Sequence, residues 1–201
     1  MNFICPARLL FLRSLLLNPK AMGSVTASSY RLCQLMASSV DPANSSVLEI
    51  GAGTGAITRA LLERKLHPGR LLIIERDPSL AAFLRREFPD VRVRCGEAIH
   101  LGRILSNESM PQINTVISSL PLCNLAQDDR IRNVCAMMSA LAPAGQLIQY
   151  TYAARCPIPS RRLGLKAERI GHVWGNLPPA SVWRFTVEQP SRRSTNRALI
   201  R

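Results

Sequence analysis

The sequence predicts a doubly wound α/β fold, a mainly parallel seven-stranded sheet that ends in a C-terminal antiparallel hairpin. Three observations carry this expectation. From residue 47 onward, short apolar runs alternate with amphipathic stretches, the pattern of parallel strands joined by crossover helices. A glycine-rich loop, GAGTGA over residues 51–56, directly follows the first apolar run. Near the C-terminus the alternation stops, and two β-prone runs flank the turn GNLPPA, which reads as a hairpin.

The elements follow in order. Ser28–Ser39 is expected as a helix, with Tyr30, Leu32, Leu35 and Met36 at helical spacing and Asp41-Pro42 as its breaker. Val47–Ile50 is a strand and Thr54–Lys65 a helix. Arg70–Glu75, RLLIIE, is a buried strand. Pro78–Phe88 is a helix opened by Asp77, with proline in its first turn. Val91–Arg94 and Ile113–Ser118 are strands, Asp128–Leu141 a helix and Gln146–Tyr152 a strand. Ala167–Trp174 and Ser181–Val187 form the hairpin. The organisation is then an N-terminal segment over residues 1–27, one nucleotide-binding domain over 28–190 and a basic tail over 191–201.

At 201 residues and 47% hydrophobic composition the chain can bury one real core. Its formal charge of +13 seeks a polyanion, either nucleic acid or an anionic membrane face, and composition does not choose between them. The six cysteines show no C-x-x-C spacing and the three histidines are scattered, which argues against a zinc site or a disulfide framework and fits a reducing cytoplasm. No metal is expected. No run reaches the roughly 18 apolar residues of a membrane span. Ala7–Leu17, ARLLFLRSLLL, is expected as a short helix ending before Asn18-Pro19, with a broad apolar arc flanked by Arg8, Arg13 and Lys20. Such a helix lies in a membrane interface, although the acid-free start also suits a transit peptide.

The glycine loop fits two nucleotides. Gly51, Gly53 and Ala56 match a dinucleotide fingerprint, whereas Gly51, Gly53 and Gly55 match a G-x-G-x-G loop of the kind that holds S-adenosylmethionine (SAM). Glu75, closing the second strand, suits ribose hydroxyls in either case. Glu49 tips the choice. A carboxylate inside an apolar strand end is costly unless paired, and a cationic sulfonium ligand satisfies it where a pyrophosphate is repelled. Glu97 and Ala98 follow the third strand, where an acid accepts an exocyclic adenine amine. Ser118-Ser119-Leu120-Pro121-Leu122 closes the fourth strand as a stiff turn with outward-facing carbonyls, suited to aligning a nucleophilic amine.

The segments VLEIGAGTGAITRALL, IIERDPSLAAFLRREFP, GEA, SSLPLCNL, QLIQYTY and GNLPPASVWRF resemble bacterial phospholipid N-methyltransferases. These are Rossmann-like class I, SAM-dependent enzymes of the phosphatidylethanolamine-methylating type, related to ribosomal RNA adenine dimethylases. The resemblance implies SAM as cofactor, held at its methionine end by Glu49, Gly51, Gly53 and Gly55, at the ribose by Glu75 and at the adenine by Glu97 and Ala98. Ser118, Ser119 and Pro121 are implied as the wall where methyl donor and amine meet. Tyr152 is implied to face the same cleft, and Asn176 with Pro178-Pro179 to shape the substrate-side hairpin. It further implies a phospholipid substrate, methylated towards phosphatidylcholine, and a peripheral place on the cytoplasmic face of the inner membrane, with Ala7–Leu17 on its anionic surface. Tyr152, His100 or water is the candidate proton acceptor. The rival reading is an RNA adenine-N6 methyltransferase. Leu122 opposes it, since a flipped base needs an aromatic platform there, as does the expectation that no helical RNA-binding domain follows Val187.

Overall fold

The structure is a computed structural model that describes residues 23–176 and 178–188, with side chains from Tyr30 onward. The expected helix over Ala7–Leu17 and the tail over 191–201 lie outside the described residues.

Seven strands form one sheet: β1 (Val47–Ile50), β2 (Leu71–Glu75), β3 (Arg92–Cys95), β4 (Thr115–Ser118), β5 (Gln146–Thr151), β6 (Leu165–Val173) and β7 (Ala180–Val187). Their order across the sheet is β3-β2-β1-β4-β5-β7-β6. The first five strands pair in parallel, while β7 runs antiparallel to both β5 and β6. β1 sits at the middle, with Glu49 between Ile73 of β2 and Ile117 of β4. All residues of β1, β2 and β4 are buried, which is why they read as continuous apolar runs rather than as an alternation.

Among the described residues five α-helices cover the sheet. On one face lie α1 (Gly23–Ala37), α2 (Ala56–Glu63) and α3 (Pro78–Glu87), whose Leu32, Met36, Ile57, Leu61 and Leu84 pack on Val47, Leu71, Ile73 and Ile117. On the other face lie α4 (Leu101–Leu105) and α5 (Gln127–Ser139), whose Leu101, Val134 and Met137 pack with Leu48, Ile74, Val116, Leu147 and Phe185. The two clusters take alternate residues of each strand, as the two-residue period of a pleated strand requires.

α1 begins at Gly23, five residues before the expected start, and runs opposite to the strands. Its C-terminal end reaches the amino edge of the sheet, where Gln146 Nε2 donates to Ser39 O at 2.8 Å. Leu35 presses against Gly171 of β6, where a Cβ would stand 2.6 Å from Leu35 Cδ2. β4 starts at Thr115 rather than Ile113, because Asn114 is spent on Ser46: its side chain accepts from Ser46 N and its amide donates to Ser46 O, both at 3.1 Å. The five-residue α4 was not expected, since so short a segment carries no periodicity and Gly102 weakens it.

α3 starts as the sequence dictates. Asp77 Oδ1 accepts from Ser79 N at 2.8 Å and Leu80 N at 3.1 Å, with Pro78 at the first helical position. Asp77→Ala removes this cap and lowers stability by about 1 kcal/mol, seen as a fall of roughly 2–4 °C in melting temperature by circular dichroism.

Candidate active site

The strand order reverses between β1 and β4, so a crevice opens beyond their carboxyl ends. The glycine loop forms one wall. Gly51, Gly53 and Gly55 have φ values of +72°, +59° and +79°, a left-handed path that side chains rarely adopt. Gly51 and Gly55 answer to different neighbours. A Cβ on Gly51 would lie 3.5 Å from Leu120 Cδ2, so the loop meets the turn after β4 there. A Cβ on Gly55 would lie 2.4 Å from Phe88 Cε2, so Gly55 is required by the close seating of α2 on α3.

The three acids stand in line along this edge. Glu49 is fully buried on the face covered by α2. Its Oε2 accepts from the Thr58 hydroxyl at 2.7 Å, and its Oε1 is buried with no donor. Burial raises its pKa to about 7, against the lowering effect of the Thr58 hydrogen bonds, with the nearby Glu75 adding a further rise. Glu75 is also buried; its Oε2 accepts from Gly53 N at 2.9 Å and its Oε1 from Asp77 N at 3.0 Å. It therefore braces the glycine loop against the start of α3. Glu97 is exposed at the head of a 3₁₀ turn after β3, and Ala98 behind it is buried. Because the strands run β3-β2-β1-β4, the edge presents Glu97, then Glu75, then the glycine loop, then Ser118 and Ser119.

The turn after β4 is pinned on every side. Ser119 N donates to Ile50 O at 2.9 Å, tying it to the end of β1, and the buried Ser118 accepts from Leu120 N through Oγ at 3.3 Å. Leu120 O does not face outward as expected. It accepts from Leu122 N at 2.8 Å and from Gln149 Nε2 at 3.0 Å, and Pro121 O accepts from Asn124 N at 2.9 Å. The physical reason is that a 3₁₀ turn over Leu122–Asn124 closes directly behind the proline and turns these carbonyls inward. Pro121 itself is exposed, whereas Leu122 is buried in the core. Tyr152, just past β5, is 39% exposed and packs edge-on to Tyr150 with ring centroids 5.5 Å apart. Burial raises its pKa, against the lowering effect of the neighbouring Asn176 and Tyr150, so the phenol stays neutral. His100 stands beside Glu97 at the β3 end, two strands away from β4.

Three residues that hold this site were not singled out by the sequence reading. Thr58 sits nine residues after Glu49, and only the return of α2 over β1 brings them together. Gln149 lies buried beside Ser118 in the β4–β5 register, and its Nε2 bridges Leu120 O and Tyr150 O. Both acceptors are carbonyls, so the amide is oriented without ambiguity. Arg130 of α5 donates through Nη2 to Cys123 O at 3.3 Å and Leu125 O at 3.2 Å, clamping the far side of the turn. A polar residue in the apolar strand QLIQYT was the one available signal, and it named no partner. A recess of ≈ 430 Å³ lined by Lys166, Thr186 and Val187 lies at the amino edge, away from this crevice.

No family model matches the chain. It is 31% identical over 147 residues to an ornithine lipid N-methyltransferase from Singulisphaera acidiphila, a match covering 71% of this chain and 76% of that protein. The chain belongs to that protein's family. It is a class I, SAM-dependent methyltransferase. A shorter match, 45% identical over 56 residues, links it to ribosomal RNA small subunit methyltransferase A from Chlorobium chlorochromatii; it covers 28% of this chain and only 20% of that protein. Among solved structures, the methyltransferase superposes on a TehB-like SAM-dependent methyltransferase from Corynebacterium glutamicum, with a TM-score of 0.56, 19% identity and coverage of 80% of this chain and 87% of that one. It also superposes on magnesium protoporphyrin IX methyltransferase from Synechocystis with bound SAM, with a TM-score of 0.60, 9% identity and coverage of 82% and 80%. These likenesses confirm the expected fold. The methyltransferase's residues fit its cofactor: left-handed glycines leave backbone open to a nucleotide, and the unpartnered Glu49 Oε1 suits a cationic ligand.

The buried Glu49 makes stability depend on pH. Its folded pKa, about 7, lies above the ordinary 4.5, so its ionisation penalty is absent below pH 4.5 and complete once pH has risen through 7. Glu49→Gln removes that penalty. Thermal melts are expected to show the variant gaining on the wild type by about 2–3 kcal/mol between pH 4.5 and pH 8; a constant gap refutes the assignment.

Proposed function

We propose that the methyltransferase transfers methyl groups to the primary amine of a membrane aminolipid, phosphatidylethanolamine or an ornithine lipid. The observation that carries this reading is Leu122. The position after Pro121, where an RNA enzyme needs an aromatic ring to stack a flipped base, holds a leucine that is 1% exposed and belongs to the core. The length of the match to the lipid N-methyltransferase supports it as well. Among the described residues no helix is long and apolar enough to cross a membrane, so the lipid would be met from the surface, on the inner membrane's cytoplasmic face.

When bound, SAM supplies a methyl group already activated by its sulfonium. The protein's own task is then to hold, align and desolvate the acceptor. In this reading Glu49 balances positive charge at the methionine end, beside the backbone of Gly51, Gly53 and Gly55. Glu75 keeps a lone pair on each oxygen for the ribose hydroxyls while bracing the loop, and Glu97 with the backbone of Ala98 faces the adenine. Ser118, Ser119 and Pro121 form the acceptor wall, held rigid by Gln149 and Arg130. Tyr152, as a neutral phenol, orients the amine through its oxygen lone pair. The amine enters as its free base, its proton having passed to water. The exposed His100 stands too far along the edge for that role.

Two measurements test this. Purified protein incubated with labelled methyl donor, mixed vesicles and ribosomal RNA is expected to label phosphatidylethanolamine or ornithine lipid on thin-layer plates; label found only in the RNA overturns the lipid reading in favour of the dimethylase one. The second concerns Glu49. A cation binds the ionised form, so SAM affinity rises with pH up to about 7, with proton release seen calorimetrically at pH 6 in buffers of different ionisation heat. Glu49→Gln is expected to weaken binding at least tenfold, about 1.4 kcal/mol, and to flatten this profile. A wild-type affinity that stays level from pH 5.5 to 7.5 removes Glu49 from the cofactor site.

A further inference from the structure

We infer that the tip of the β6–β7 hairpin is a membrane contact, with Trp174 entering the interface of an anionic bilayer and turning the acceptor turn towards the lipid amine. The inference rests on the aminolipid reading and adds to it the orientation of the protein on its substrate surface.

Four observations converge. Trp174 is 81% exposed, the most exposed of the large apolar residues described. Its ring is not loose, since it stands edge-on to His172 with centroids 4.2 Å apart, and His172 Nδ1 is in turn 2.8 Å from Ser181 Oγ on β7. Secondly, the tip is free of charge: Trp174-Gly175-Asn176 leads on to Pro178 and Pro179, both exposed. Tryptophan beside uncharged turn residues is the composition that settles at the headgroup level of a bilayer, where an amphipathic ring keeps its N–H wet. Thirdly, β6 ends and β7 begins at the carboxyl edge of the sheet, the edge that carries the acceptor turn. The tip stays close to that site: Asn176 donates to Pro178 O and lies near enough to Tyr152 to influence its ionisation. A bilayer touching Trp174 would therefore lie against the mouth of the crevice. Finally, α1 runs from this same edge down to the amino edge, so its first residue, Gly23, lies at the edge that carries Trp174. The chain's +13 charge complements an anionic surface.

A bilayer is also the partner that the chemistry of the reading demands. The amine of an aminolipid sits at headgroup depth, and a protein that reaches it from water must present its crevice edge to the membrane plane. A ring at that depth holds the edge there without lifting the lipid out.

The test uses the full chain, which has two tryptophans. Trp183→Phe leaves Trp174 as the sole reporter. The wild type provides a second arm should that variant fold poorly, since Trp183 is half-buried with its indole nitrogen inside the protein. Vesicles are an equimolar mixture of phosphatidylglycerol and acyl-brominated phosphatidylcholine. Trp174 emission is expected to shift to the blue and to lose about half its intensity on these vesicles relative to unbrominated ones. Trp174→Ala is expected to weaken vesicle co-sedimentation about tenfold. Unquenched emission from protein that sediments with the vesicles overturns the inference and shows the tip covered by another part of the chain or facing water. Failure to sediment overturns it too. The aminolipid reading is scored separately on the same vesicles doped with phosphatidylethanolamine and ornithine lipid. Methylation with an unquenched Trp174 sinks the hairpin contact alone; quenching without methylation of any lipid supports the contact and sinks the substrate assignment.

Discussion

The arrangement at the carboxyl edge depends on one costly placement, a carboxylate sealed inside the central strand of the sheet. Glu49 has apolar neighbours in register on both sides, Ile73 and Ile117, and, among the described residues, a single side-chain donor, the Thr58 hydroxyl. Such a group sits several kcal/mol above a leucine in the same place unless something compensates it. Among the described residues nothing donates to its Oε1. Thr58 fixes the rotamer and leaves Oε1 aimed where no protein group answers it. A class I methyltransferase binds a cofactor that carries positive charge, and in the proposed function that ligand completes the interaction which Glu49 leaves open.

The second constraint is stiffness. In methyl transfer from an already activated donor, alignment does most of the work, and an error of a fraction of an ångström in the acceptor wall erodes it. The turn after β4 answers this with redundancy. Ser119 is tied to β1, Leu120 to β5 through Gln149, and Cys123 and Leu125 to α5 through Arg130. Three separate elements thus set the position of four residues. In the proposed reading, the inward Leu120 carbonyl that holds the turn rigid is not available to bind the amine, which leaves that role to Ser119 and Tyr152.

The two relatives divide along the same line. Similarity to the ribosomal RNA methyltransferase covers a fifth of that protein, while similarity to the lipid N-methyltransferase covers about three quarters of its partner. The cofactor loop is common to many methyltransferases, so agreement confined to a short stretch carries the cofactor and not the acceptor. In the proposed reading, the buried Leu122 after Pro121 is where the chain parts from a base-stacking enzyme.

The chain by itself determined the fold class, the place of the glycine loop and the cofactor, because these depend on local signals. Apolar runs such as LLIIE mark strands buried on both faces, Asp77-Pro78 starts a helix wherever it occurs, and glycines spaced by two can follow a left-handed path that other residues resist. It also singled out Glu49, since an acid in an apolar run is anomalous at the level of sequence. Only the tertiary structure decided what surrounds that acid. Thr58, Gln149 and Arg130 act through the register of strands and the return of helices over them, and none carries a local signature. The same reason explains the shifted start of β4, where Asn114 bonds a residue 68 positions away, and the inward turn of Leu120, set by a glutamine 29 positions later. Backbone propensity is written residue by residue; which polar groups meet is fixed only when distant strands are laid side by side.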